Sequence, residues 1–97
     1  MRARYSAYAL GDGHYILETW HPDTCPRKIV IDESIEWTGL EILDVSGGSA
    51  FENVGTVEFV AHFVHHKRRR DVPGKLHETS RFVAEDMIWS YYDGRVH

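Results

Sequence analysis

Thr56-Val57-Glu58-Phe59-Val60-Ala61-His62-Phe63-Val64-His65-His66 changes character at every second residue. Val57, Phe59, Ala61 and Phe63 make an unbroken apolar row, and Glu58, Val60, His62 and Val64 make the mixed row opposite. Period two is the repeat of a β-strand, whose side chains point alternately to its two faces. Trp37–Val45, Leu76–Glu85 and Met87–Asp93 also read as strands. Turn-rich pieces separate them: Ser46-Gly47-Gly48-Ser49, Asp71-Val72-Pro73-Gly74 and a tight Glu85-Asp86 corner. In Leu76–Glu85, Leu76, Glu78, Ser80 and Phe82 share one face, while His77, Thr79, Arg81 and Val83 take the other. The apolar rows must turn inward, because burying them is the main driving force available. Glu78 and Ser80 go in with them. A carboxylate in that position is costly unless it is hydrogen-bonded or faces a solvated hollow. The alternation thus predicts a polar spot inside an apolar, aromatic cavity.

Upstream the pattern is helical. Met1–Leu10 carries helix-favouring residues with Tyr5, Tyr8 and Ala9 on one stripe, and Gly11 stops it. Asp12 is placed to cap a second helix, His14–Trp20, whose Tyr15, Ile16, Thr19 and Trp20 share a face. His21-Pro22 ends it, since a residue before proline is pushed out of helical geometry. Between Pro26 and Ser34 two readings stand: a short strand at Ile29-Val30-Ile31, or a helical turn over Asp32–Glu36. Helices first and successive strands afterwards predict an α+β domain, an antiparallel sheet with its helices gathered on one side.

Ninety-seven residues fit one domain, taken as 1–97, with no repeat or linker. A composition of 42% hydrophobic and 27% charged residues is that of a globular protein rather than a disordered tract or a membrane span. Without a signal-peptide pattern the expected compartment is the cytoplasm. Cys25 stands alone, which excludes an internal disulfide and a multi-cysteine zinc site within these residues. A net charge of −4 argues against a dedicated nucleic-acid binder.

Several stretches together resemble the YchJ-like family of small bacterial proteins. They are Arg4-Tyr5-Ser6-Ala7-Tyr8, Thr19-Trp20-His21-Pro22, Trp37–Asp44, Gly55–Ala61, Leu76–Phe82 and Trp89–Gly94, in the same order nearly end to end. The resemblance implies a bacterial source and a nuclear transport factor 2-like domain, a curved antiparallel sheet wrapped around helices into a cone with a hollow. Such families commonly add cysteine-rich, zinc-binding SEC-C segments at their ends. None stands among these residues, so the resemblance carries no zinc-dependent or Sec-related role over to this chain. Cys25 also occupies a position where the family pattern leads one to expect arginine.

Three clusters are candidates for function. The first is the hollow, with Tyr5, Trp20, His21, Trp37, Glu78, Ser80, Trp89 and Tyr91 as expected pocket residues. Folds of the implied kind host isomerases, dehydratases and cyclases. In that reading Glu78 is the general base and His21 its acid partner. The alternative is a Glu78 that accepts hydrogen bonds from Tyr5, Ser80 or an indole N–H and pins helices to sheet, and this is preferred. The second cluster, Glu58, His62, His77 and Arg81, reads as opposite charges on a solvated or dimer-forming sheet face, without a metal. The third, His62, His65, His66 and Lys67-Arg68-Arg69-Arg70, reads as a soluble hairpin tip that discourages edge pairing. It lacks aromatic platforms for stacking bases, so RNA or ribosome association is the weakest reading. Gly47-Gly48 makes a turn, with no phosphate-loop spacing after it, and Cys25 has no activating base.

The expected function is a non-catalytic accessory module binding a small ligand or a protein partner in or near its pocket. A homodimer is expected and no cofactor is. The alternative is a cofactor-independent isomerase-, dehydratase- or hydrolase-like enzyme using Glu78 and His21.

Overall fold

The structure, a computed structural model, describes residues 1–49 and 51–97. Helix α1 spans Arg2–Leu10 and helix α2 spans Gly13–Glu18. Gly11, with φ 74°, closes α1 in the left-handed conformation typical of a helix end. The Asp12 side chain accepts a hydrogen bond from the Tyr15 N–H and caps α2. Ile16 is fully buried (0% exposed), worth about 1.5–3 kcal/mol for a side chain of its size. Four antiparallel strands follow in the order β1-β2-β3-β4: Ile35–Gly47, Val54–Lys67, Arg70–Glu85 and Ile88–Val96. The architecture is α+β.

The cross-strand register sorts the side chains as the alternation predicts. Ala61 lies opposite Leu76, Phe59 opposite Glu78 and Val57 opposite Ser80. Phe59, Ala61 and Ser80 are buried, whereas Arg81 stays exposed and pairs with Asp93 on the other face. One irregularity at Tyr92 shapes the site. Phe82 pairs with Tyr91 and Arg81 with Asp93, so Tyr92 is the extra residue of a bulge. Tyr91 and Gly94, three residues apart, therefore come to the same face.

Three local expectations need correction. Asp71-Val72-Pro73-Gly74 is not a turn but part of β3, and the hairpin closes at Arg68-Arg69 between the paired Lys67 and Arg70. Proline is tolerated because at Pro73 the strand has a neighbour on one side only, β4 pairing with β3 from Glu78 onward. Gly74 serves close approach instead: a Cβ there would come within 2.6 Å of the Phe63 ring. The last turn is Asp86-Met87 rather than Glu85-Asp86, with φ of 51° and 67° at its two residues. Ile29-Val30-Ile31 forms no strand; Ile29 and Ile31 lie over Gly13 at the start of α2, and Val30 is exposed.

α2 is tied to β4 by main chain. Tyr91 N–H donates to the Thr19 carbonyl at 2.9 Å and His21 N–H to the Tyr91 carbonyl at 2.7 Å, making a parallel bridge between Trp20 and Tyr91. α1 meets β1 through Tyr5, edge-on to Trp37 with ring centroids 6.2 Å apart. Trp37 in turn meets Phe63 at 5.4 Å.

Candidate functional site

A cavity of about 220 Å³ lies between α1 and the inner face of the sheet. α1 contributes Arg4, Tyr5 and Tyr8, which follow one another at helical spacing on a single side. The sheet contributes Trp37, Phe59, Ala61, Leu76, Glu78, Ser80 and Tyr91, and Trp20 closes the side beyond α2. Of the expected pocket residues, Tyr5, Trp20, Trp37, Glu78, Ser80 and Tyr91 are brought together here.

His21 and Trp89 are not. In the Trp20–Tyr91 bridge consecutive side chains point to opposite sides, so Trp20 enters the cavity and His21 leaves it. His21 is buried with its Nε2 2.6 Å from Glu85 Oε1, while its Nδ1 accepts the Asp23 N–H at 3.1 Å. That arrangement puts the ring proton on Nε2, donated to Glu85. The Glu78–His21 acid–base pair of the enzymatic alternative is therefore not assembled. Trp89 lines two other hollows with Phe82, one beside the β1–β2 connection and one against the helices that shares Arg4 and Tyr91 with the cavity.

Inside the cavity Glu78 accepts a hydrogen bond from the Ser80 hydroxyl at 2.8 Å. It fits because Gly94 has no side chain: a Cβ there would stand 2.5 Å from Glu78 Oε2 and 2.9 Å from the Tyr91 hydroxyl. Burial, followed by the Glu78 charge, pushes the Tyr91 phenol up to about 12. Tyr8 is raised as well, chiefly by burial, with Arg4 pulling the other way.

Arg4 is the residue that alternation could not find. It is 7% exposed, and it is held by aromatic rings: its guanidinium carbon lies 3.6 Å from the Tyr91 centroid, 4.6 Å from Trp20 and 5.4 Å from Tyr8. Its Nη2 donates to the Tyr8 hydroxyl at 3.4 Å. Its Nη1 is, among the described residues, the one buried side-chain polar atom without a hydrogen-bond partner. Burial lowers the Arg4 pKa from its ordinary value and Tyr8, Tyr91 and Glu78 act against that, so the group stays a cation at neutral pH. The available signal was the spacing of Arg4 and Tyr8, one helical turn apart beside Tyr5.

The outer face carries paired charges. His77 Nε2 lies 2.6 Å from Glu58, and Arg81 makes two hydrogen bonds to Asp93 at 3.0 and 2.7 Å. His62 is paired with Glu41 on β1 rather than with the Glu58 group. Glu58, His77 and His97 bring one possible ligand atom each within 4.8 Å of one another. Each is already engaged, His77 with Glu58 and His97 Nε2 with Thr79 Oγ1 at 2.7 Å. At the basic hairpin, Asp71 and then Glu36 hydrogen-bond His66 and hold its pKa above the ordinary value, so acids sit among the cations. Cys25 is half-buried with its Sγ 3.8 Å from the Leu17 carbonyl. No helix of the described residues is long and apolar enough to cross a membrane.

Comparison with known proteins places this geometry in a lineage. Residues 1–94 match the family described as YchJ, middle NTF2-like domain. A UPF0225 protein of Streptomyces coelicolor is 48% identical over 94 residues, covering 97% of this chain and 69% of the relative. A UPF0225 protein of Chromobacterium violaceum is 47% identical over 102 residues, covering 99% and 70% respectively. The solution structure of RPA3114, a SEC-C motif containing protein from Rhodopseudomonas palustris, superposes with a TM-score of 0.77 at 32% identity. That likeness covers 100% of this chain and 75% of the other. With a family match from Met1 to Gly94 and a shared fold, the chain belongs to the YchJ family, in its middle NTF2-like domain.

Proposed function

We propose that the chain is a non-catalytic binding module that takes a small organic ligand into the cavity beneath α1. The observation that carries this reading is the cavity's make-up: aromatic walls, with Arg4, Glu78, Ser80 and Tyr91 lining one partly open hollow. Binding is favoured over the enzymatic alternative because His21, the acid partner that Glu78 would need, is committed to Glu85 outside the cavity. The chain spans about 69–70% of two close relatives, which suits an accessory role within a longer protein.

The size of the cavity limits its occupant. A cavity of roughly 150 Å³ accepts benzene, so the space here suits about nine non-hydrogen atoms. The test is an NMR titration of isotope-labelled protein with phenol, benzamide and benzoate. At least one probe is expected to shift the Trp20 and Trp37 indole N–H signals together with the Ala61 amide. In Ala61→Phe, which fills the cavity, that response is expected to vanish while the spectrum stays folded. Unmoved cavity signals with all three probes would contradict the reading.

A further inference from the structure

We infer that the cavity selects a small monocarboxylate, received by the guanidinium of Arg4. The inference rests on the binding reading above and adds the chemistry of the ligand. Its basis is a mismatch. Arg4 is more than nine-tenths buried, lines the cavity, and carries a side-chain nitrogen that nothing among the described residues hydrogen-bonds. A buried donor left unpaired is costly, and native interiors almost always satisfy such groups. Aromatic faces stabilise the Arg4 charge, but they leave that in-plane N–H donor without an acceptor.

The shape of the group sets the class of acceptor. A guanidinium presents parallel N–H bonds along its edge, matching the two oxygens of a carboxylate. The unpaired Nη1 has almost no accessible surface, so an entering acceptor reaches it only as the guanidinium shifts, and what opposes that shift is three ring faces and one long hydrogen bond. The net charge of the ligand is set from the other side. Glu78 lines the same space, and its charge acts on Arg4, Tyr8 and Tyr91. Arg4 and Glu78 offset each other, so a monocarboxylate takes the site to one net negative charge and a dianion would take it to two, the costlier case beside Glu78. Phe59, Ala61, Leu76 and the two indoles line the same space and ask for an apolar body. The ligand is therefore a compact molecule with one carboxylate and an aromatic or branched apolar body. A hydrogen-bond donor at its far end would meet Glu78 and Ser80.

Benzoate and benzamide are matched in size and differ in charge, and phenyl phosphate, about two non-hydrogen atoms larger, adds a dianion. In NMR titrations benzoate is expected to bind at least about tenfold more tightly than benzamide, the scale of one charge-assisted hydrogen bond, and more tightly than phenyl phosphate. Arg4→Met keeps the apolar stem and is expected to bring benzoate down to the benzamide level, while Arg4→Lys keeps part of the preference. Equal binding of benzamide and benzoate by the unaltered protein would overturn the inference and leave the binding reading standing; Arg4 would then be a structural cation. Preference for phenyl phosphate would overturn it too. No binding of any probe would overturn both. The comparison on unaltered protein decides the matter even where Arg4→Met fails to fold.

Discussion

Gly94 and Glu78 show how one missing methyl group creates a polar pole. The carboxylate occupies the space that any side chain at residue 94 would take, beside the Tyr91 hydroxyl. Tyr91 records that environment, because its phenol is pushed to about 12 by burial first and Glu78 second. The unfolded chain ionises tyrosine near its ordinary value of 10, whereas folded Tyr91 keeps its proton. Its contribution to stability is therefore complete below pH 10 and is lost as pH rises from about 10 to 12. Alkaline titration followed by tyrosinate absorbance is expected to show a late-ionising class that includes Tyr91, and Tyr91→Phe is expected to remove part of it. If all five tyrosines ionised together near pH 10, the cavity would be open to water. At this scale Glu78 and Ser80 were legible, since period-two alternation sorts side chains into faces. Arg4 was not, because a lone cation on a helical stripe looks solvated until the rings around it are placed.

The strands and helices were legible as elements, and their ends less so. Strand identity follows from alternation, but a turn depends on which residues tolerate positive φ and which pairs continue across it. Asp71-Val72-Pro73-Gly74 has the composition of a turn, yet Pro73 pairs with Val64 and Gly74 makes room for Phe63. His21 shows the same limit: sequence placed it at the end of α2, and the bridge to Tyr91 decided its direction. The Asp86-Met87 turn offers a test of the hairpin. Both residues hold positive φ, and Met87 is 92% exposed, so its side chain has little packing to set against the strain. Left-handed geometry costs a non-glycine residue about 1–2 kcal/mol, less the roughly 0.5–1 kcal/mol that glycine loses in chain entropy. Met87→Gly is expected to raise stability by about 0.5–1 kcal/mol, or a few degrees in melting temperature. A lower melting temperature would mean that this turn is wrongly described.

For the molecule as a whole, the arrangement of parts explains why a sheet with only two short helices encloses anything. α1 lies over β1 through Tyr5 and Trp37, α2 is stitched to β4 at Tyr91, and the space between them is the cavity. Its cation comes from the first helix and its carboxylate from the third strand, so the site exists only when both layers are in place. The most direct measurement is a crystal structure of the protein grown with benzoate. The account predicts a benzoate ring among Trp20, Trp37 and Ala61, with its carboxylate hydrogen-bonded to the Arg4 guanidinium. A structure with the Arg4 guanidinium in bulk solvent, or with protein side chains filling the space beside Glu78, would contradict it.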